Sequence, residues 1–181
     1  MEYRIVTAVA DDIPAVASRL RPWDAFEVHA AAPWVPIEES LRLSRELSYP
    51  QSAHTVLIDD EPHALFGAGG WDAGVGFVWM VGSNLIYKHG LTFLRRSPAI
   101  LAELFEITGE HTFSNNVAAG NRLHTRWLTS LGATWGPPFE YGPLKCQFRN
   151  FTLRKEDLHV PSTHGRGRLE RPRQLGVSRR T

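Results

Sequence analysis

Residues 112–135 read TFSNNVAAGNRLHTRWLTSLGATW and predict a strand, a turn, a helix and the start of another strand. Asn121 follows the Ala119-Gly120 break, where its side-chain oxygen can accept a free N–H of the first helical turn. The apolar residues after it recur at helical spacing: Leu123, Trp127, Leu128 and Leu131. Gly132 then supplies the left-handed residue that ends a helix. An ordinary packed helix explains these residues as well as any functional unit does.

The spacing of this segment also resembles the last strand–helix motif of the GNAT acetyltransferase superfamily. That motif has an asparagine that opens the helix, an aromatic residue six positions later and a Leu-Gly end. Here those places hold Val117, Asn121, Trp127, Leu131-Gly132 and Ala133. The resemblance implies an α/β fold with a mixed, mostly antiparallel central sheet flanked by helices on both faces.

The remaining segments predict the same element order without reference to any family. The predicted strands are residues 3–9, 54–58, 64–69, 77–81 and 147–153, and the predicted helices are 11–20, 23–32, 36–47, 98–108 and 121–131. Ser97 is expected to cap the helix that starts at Pro98. Glycines 69, 70, 74 and 76 are interpreted as turn residues, and residues 132–143 as an irregular loop.

Length and composition indicate one globular domain with a tail. The chain has 181 residues, of which 43% are hydrophobic, enough for a full core. It contains no apolar run long enough for a membrane span, and residues 1–12 lack the features of a signal peptide. Cys146 is the only cysteine, which fits a reducing compartment.

Charge divides the chain into a GNAT-like domain, residues 1–160, and a basic C-terminal extension, residues 161–181. From Ser162 onward, six arginines stand against Glu170 alone, a balance of +5. The preceding residues carry 14 Lys/Arg and 18 Asp/Glu, a balance of −4. The extension is too polar to fold by itself, and we expect it to contact an acidic protein surface or, nonspecifically, DNA phosphates.

Several further sequence segments resemble the internal virion protein A family of T7-like podoviruses, whose members have a GNAT-like core. These segments are WMVGSN (79–84), KHGLTFLR (88–95), residues 115–132 and FRNF (148–151). That resemblance implies a virion or assembly protein located in the host cytoplasm during assembly and in the virion. Its implied partners are other phage structural proteins in an oligomeric assembly.

The GNAT resemblance also implies a pyrophosphate cradle formed by backbone N–H groups after the fourth strand. The corresponding residues here are Val81, Gly82, His89 and Gly90, with Asn121 on the neighbouring helix; they are the expected cofactor-binding residues if acetyl-CoA is bound. The Gly-x-Gly pattern of that cradle is incomplete. The main interpretation therefore expects no cofactor, with acetyl-CoA under the alternative.

No residue can be assigned to catalysis from the pattern. The resemblance places the usual tyrosine general acid at Trp127, whose indole N–H does not transfer protons. His89, His111, His124 and Glu103 remain open as general bases, and no set with metal-ligand spacing is visible. Two hypotheses follow: a phage structural protein on an inactive GNAT-like core, or a CoA-dependent N-acetyltransferase with an atypical pyrophosphate loop.

Overall fold

The structure, a computed structural model, describes residues 2–72 and 74–158. Its strands are β1 (Tyr3–Thr7), β2 (His54–Ile58), β3 (Glu61–Asp72), β4 (Val75–Gly82), β5 (Thr112–Ala118), β6 (Thr134–Tyr141) and β7 (Cys146–Arg154). They form one sheet in the order β1-β2-β3-β4-β5-β7-β6. Only β4 and β5 pair in parallel. The predicted mixed sheet is confirmed, whereas the basic extension, 161–181, lies outside the described residues.

Helices cover both faces of the sheet, as predicted. They are α1 (Asp12–Ala17), α2 (Pro22–Ala31), α3 (Ile37–Glu46), α4 (Leu85–Lys88), α5 (Gly90–Thr108) and α6 (Arg122–Ser130), followed by a 3₁₀ turn (Lys155–Asp157). Helices α1, α2 and α3 pack on one face, and α5 and α6 pack on the other. None of the helices in the described part is both long and apolar enough to cross a membrane.

The two-residue period of the strands produces this division. In β3, Phe66 belongs to the core beneath α5 and α6, whereas its neighbour Leu65 belongs to the core beneath α1 and α3. In β5, Val117 and Ala118 divide between the two faces in the same way. Successive side chains of a strand point to opposite faces, so both faces need apolar residues.

The prediction that a helix begins at Pro98 with Ser97 as its cap is wrong. Helix α5 already begins at Gly90 and continues through Pro98. The Ser97 hydroxyl instead donates to the Phe93 carbonyl, 2.6 Å away, one turn earlier in the same helix. The free energy gained when the buried face of α5 packs on the sheet exceeds the cost of the helical hydrogen bond that Pro98 cannot donate.

The predicted irregular loop over residues 132–143 is also wrong, because β6 lies there and pairs with β7. The pairing is interrupted between Trp135 and Pro138. Neither Pro137 nor Pro138 can donate a ladder hydrogen bond, and such residues are tolerated only in an edge strand. The Gly-Pro-Pro sequence therefore suggested a loop where the chain forms the edge of the sheet.

Three of the four glycines interpreted as turn residues lie in strands: Gly69, Gly70 and Gly76. A Cβ atom on Gly69 would collide with the Leu47 carbonyl oxygen and the Phe77 ring. Only Gly74, with φ of +79°, has the left-handed backbone of a turn residue. The three strand glycines serve the close approach of neighbouring backbone and side chains rather than a nucleotide loop.

Burial of His54 in β2 makes the stability of the fold depend on pH. The side chain is 2% exposed, and its ring stacks on Phe66 with 5.3 Å between centroids. Burial lowers the pKa of His54, an effect that the carbonyl of Ser52, 3.0 Å from Nδ1, partly offsets. Because the unfolded chain then binds the proton more readily, stability is lost as pH falls below the ordinary histidine pKa of about 6.5.

We predict that the free energy of unfolding decreases between pH 7.5 and 5.5, and that His54→Gln reduces this decrease. Urea denaturation at several pH values measures both slopes. The same replacement at exposed His29 is the control and should leave the slope as it is in the wild type. Equal slopes for wild type and His54→Gln would contradict the prediction.

Candidate active site

A gap between β4 and β5 forms an elongated cavity in the described part. The two strands pair only through Val75–Thr112 and Gly76–Phe113 and then separate. The cavity, about 370 Å³, opens between residues 78–81 and 115–117 and extends below α2 and α3. The Asn115 amide donates to the Val78 carbonyl across the narrow part of the gap, at 2.9 Å.

The backbone of β4 presents polar groups to this gap. The Gly82 N–H and C=O both bond to the α2 side of the gap, and the Val78 carbonyl accepts from Asn115. Every second residue of a strand directs its N–H and C=O to the same side. Met80, midway between Val78 and Gly82, therefore directs its N–H and C=O into the gap.

Asp24 of α2 closes the wide end of the gap. Its Oδ2 accepts from the Gly82 N–H at 2.7 Å and from the Arg21 guanidinium at 2.9 and 2.6 Å. Oδ1 has no hydrogen-bond partner, although the residue is only 1% exposed. Burial raises the pKa of the Asp24 carboxyl, and the Arg21 charge partly offsets this rise.

His124 and Glu27 complete the charged cluster. Arg21 Nη2 lies 2.8 Å from His124 Nε2. A guanidinium only donates, so His124 Nε2 is the acceptor in this contact. Glu27 Oε1 accepts from the Asn121 amide at 2.9 Å, while Oε2 lies 3.6 Å from His124 Nδ1. With His124 neutral, the cluster of Arg21, Asp24, Glu27 and His124 has a formal charge of −1.

Of the four open candidates for a general base, the structure brings only His124 to the cavity. Arg21, Asp24 and Glu27 were missed by the sequence analysis. The available signal was their spacing of three residues: Arg21 directly precedes α2, and Asp24 and Glu27 lie on one face of that helix. Surface ion pairs have the same spacing, so the pattern alone does not distinguish a buried site.

The residues expected to bind a cofactor fall into two groups. Val81 lines the cavity, Gly82 bonds to Asp24, and Asn121 bonds to Glu27. His89 and Gly90 lie at the start of α5, where the His89 ring is 6.5 Å from the Tyr3 ring of β1. Since β1 lies at the far edge of the sheet from β5, these two residues are outside the charged cluster.

Trp127 lines both the cavity between β4 and β5 and a smaller cavity of about 40 Å³ beneath α5 and α6. Its Nε1 donates to the Ser97 hydroxyl at 3.1 Å. The two cavities share the walls formed by residues 78–80, Trp127 and Leu128. The two cavities therefore lie on either side of a shared wall, one towards α2 and α3 and the other towards α5 and α6.

Four backbone amides directly after β4 already have acceptors within the protein. The N–H of Gly82 bonds to Asp24, that of Ser83 to the His63 carbonyl at 2.8 Å, and that of Leu85 to the Ser83 hydroxyl at 3.2 Å. The Ile86 N–H bonds to the Ser83 carbonyl. These amides already have protein acceptors, so they are not available to phosphate oxygens.

Comparison with known proteins supports the fold. No family model matches this chain, and no curated protein matches it. A GNAT-family acetyltransferase from Bacillus anthracis matches with a TM-score of 0.62 at 12% identity, over 86% of this chain and 96% of that one. The yncA protein of Salmonella typhimurium, solved with its cofactor acetyl-CoA, gives 0.63 at 17%, over 90% and 99%.

AAC(6')-Ib in complex with ribostamycin and coenzyme A also matches, with a TM-score of 0.63 at 12% identity, over 91% of this chain and 100% of that chain. These similarities show that the chain has a GNAT-like acetyltransferase fold, as the sequence analysis predicted. They contain no evidence for the resemblance to the phage internal virion proteins, which stays a hypothesis.

The helix that carries His124 depends on Asn121. The Asn121 Oδ1 accepts from the His124 N–H at 3.2 Å, which confirms the predicted cap, and its Nδ2 donates to Glu27. We predict that Asn121→Ala lowers the free energy of unfolding by about 2 kcal/mol, since it removes one cap and one charge-assisted hydrogen bond. Chemical denaturation measures the loss.

The matched control is Asn121→Ser, which keeps a capping oxygen but lacks the amide that donates to Glu27. Its loss should be about half as large. An alanine variant as stable as the wild type would refute the capping role, and equal losses in both variants would assign the whole effect to Glu27.

Proposed function

We propose that this protein is an N-acyltransferase that moves an acyl group from a thioester to a compact primary amine held by Asp24 and Glu27. The observation that carries the proposal is the gap between β4 and β5, which ends at a buried cluster with a formal charge of −1. Solved proteins of the same fold include yncA with acetyl-CoA and AAC(6')-Ib with coenzyme A. The shared fold favours acyl transfer, but the residues of this site must support that chemistry.

The charged cluster suits an ammonium ion. Oxygen atoms of Asp24 and Glu27 lie within 4.8 Å of each other and of a His124 nitrogen. A divalent metal is a poorer match, because the Arg21 guanidinium already occupies Asp24 Oδ2 and His124 Nε2. An ammonium between the two carboxylates neutralises the cluster. It also gives a hydrogen-bond donor to Asp24 Oδ1, which has only His124 Nε2 at 3.6 Å beside it.

The same carboxylates can remove the proton that keeps the amine unreactive. Burial raises the pKa of Asp24, which makes it a better proton acceptor near neutral pH. The neutral amine then attacks the thioester carbonyl, so that a C–N bond forms and the C–S bond breaks. The second amine proton leaves with the thiol. Trp127, whose N–H bonds to Ser97, is assigned no proton transfer.

The test is amide formation, measured by mass spectrometry with the full chain, acyl thioesters and a panel of small primary amines. We expect product with the wild type and a loss of about a hundredfold in kcat/KM for Asp24→Asn, the lower range for a lost acid–base residue. Exposed Glu38→Gln is the control and should retain full activity.

Because Asp24 also bonds to Gly82 and Arg21, each variant is checked by circular dichroism, and Glu27→Gln decides the result if Asp24→Asn does not fold. Absence of product with every donor and amine, or full activity in both cluster variants, would overturn the proposal.

A second candidate function is a structural or assembly protein of a phage particle on an inactive acyltransferase core. The backbone amides that already have protein acceptors, together with Trp127 in place of a proton donor, favour it. Its partners would be other particle proteins, contacted through the body and residues 161–181, with nonspecific DNA contact. It would locate the chain to the host cytoplasm during assembly and to the virion.

This candidate predicts a fixed copy number of the chain in purified phage particles, measured by quantitative mass spectrometry. Deletion of residues 161–181 should reduce that number. Absence of the chain from particles, combined with amide formation in the transfer assay, would eliminate it.

A further inference from the structure

We infer that the amine taken by this site carries a neutral oxygen atom, as amino alcohols and methoxyalkylamines do, and that Asn116 selects it by donating a hydrogen bond to that oxygen. The inference rests on the proposed acyl transfer and names the class of amine for the same site. It starts from the side-chain amide of Asn116, which neighbouring groups hold in one orientation.

Asn150 of β7 fixes that orientation. It pairs with Asn116 across the two strands, and its Nδ2 donates to the Asn115 carbonyl at 3.2 Å and to Asn116 Oδ1 at 3.1 Å. A backbone carbonyl only accepts, so the NH2 group of Asn150 must be the one beside it. Asn116 Oδ1 is then the acceptor from Asn150, and Asn116 Nδ2 is turned away from Asn150.

The N–H donors of Asn116 are open to a ligand. The residue belongs to the wall of the cavity between β4 and β5 and is half-buried. Among the described residues, its side chain is bonded through Oδ1 alone. A ligand that covers such a donor without an oxygen to accept from it removes the donor from water without compensation. An amine with an oxygen at this position is therefore favoured over one with a methylene group.

The strand β5 sets the spacing between Asn116 and the charged cluster. The Ala118 N–H donates to Glu27 Oε1 at 3.0 Å, so Ala118 marks the position of that carboxylate along the strand. Asn116 precedes Ala118 by two residues and lies on the same face, about 7 Å away at the rise of a strand. An ammonium held by Asp24 and Glu27 thus has Asn116 within reach of the far end of a short aliphatic chain.

Charge requires the oxygen to be neutral. The described residues that line the cavity include no lysine or arginine, and the Arg21 guanidinium bonds to Asp24 and His124. A carboxylate on the amine would therefore enter without a cation beside the negative cluster, and like charges repel strongly where water is excluded. A hydroxyl or ether oxygen accepts from Asn116 without that cost.

Two hydroxyl groups in the same wall do not provide this selection. Ser40 Oγ of α3 has no hydrogen-bond partner, but it is enclosed by protein atoms. The Tyr141 hydroxyl of β6 rotates about its C–O bond and can donate or accept. Asn116, by contrast, presents donors whose direction Asn150 fixes.

The experiment measures kcat/KM of the full chain for pairs of amines, with the most active thioester of the transfer assay. Each pair consists of a methoxyalkylamine, whose oxygen only accepts, and the alkylamine in which a methylene group replaces that oxygen. The chains lengthen from methoxyethylamine to methoxypentylamine. At the matching length we expect the oxygenated amine to exceed its partner by about tenfold, the value of one hydrogen bond. A ratio below about threefold at every length would overturn the inference and leave the proposed acyl transfer intact.

Variants assign the preference to its residue. Asn116→Leu removes the donor at nearly the same volume and should bring the ratio to about one. Asn150→Leu tests Asn150 as a positioning residue and should also lower the ratio, mainly through KM. A loss of stability alone would not move this ratio, because both amines of a pair report on the same folded enzyme. Thr152→Val, on the same face of β7, is the control and should keep the wild-type ratio.

If Asn116→Leu does not fold, Asn116→Asp decides, since it keeps an oxygen for Asn150 but lacks the donor. A wild-type ratio in the Asn116 variant would refute the inference, as would a preference that disappears in Tyr141→Phe instead. If no amine of either kind gives amide, the proposed function fails, and the inference fails with it.

Discussion

The carboxylate of Asp24 is the contact on which the arrangement of the cavity depends. It bonds to the end of β4 through the Gly82 amide and to Arg21, whose guanidinium reaches His124 of α6. Helices α2 and α6 belong to opposite faces of the sheet, so this contact joins both faces at the point where β4 and β5 have separated. In the absence of ladder bonds there, side chains hold the gap at its width.

Burying this charged contact has a cost in the free energy of folding. A buried ion pair seldom stabilises a protein more than apolar packing of the same volume would, but it requires a particular geometry. Asp24 Oδ1 adds to that cost because it has no hydrogen-bond donor, and a buried acceptor without a donor loses its hydration. A site that binds a cation recovers this loss on binding. The same geometry occupies the Gly82 amide, so cation binding and a main-chain phosphate cradle exclude each other at this position.

The sequence predicted the parts of the fold that local signals determine. Asn121 was predicted as a cap from its place between Gly120 and the apolar face, and the structure confirms the bond to the His124 amide. The element order and the mixed sheet followed from the alternation of strand and helix signals. The helix start at Pro98 was wrong because Ser-Pro is a common helix beginning, whereas here packing on the sheet carries α5 through it.

The candidate site was less predictable for a physical reason. The gap arises because β4 and β5 share only two paired positions, and no local pattern records how many positions two distant strands share. Asp24 and Glu27 lie on one face of α2 and Arg21 directly precedes that helix, but their burial depends on α2 lying across the end of β4. His124 was among the candidates for a base, and only its contact with Arg21 distinguished it from the other histidines.

The prolines of β6 restrict how this molecule can associate with copies of itself. A strand at the border of a sheet offers its free backbone groups to any incoming chain, which is a common route to fibres. Pro137 and Pro138 both lack a backbone N–H. Successive residues of a strand direct their N–H groups to opposite sides, so one of the two missing donors belongs to that border. The interrupted register beside them bends the strand. Continuous sheet growth across β6 is therefore disfavoured.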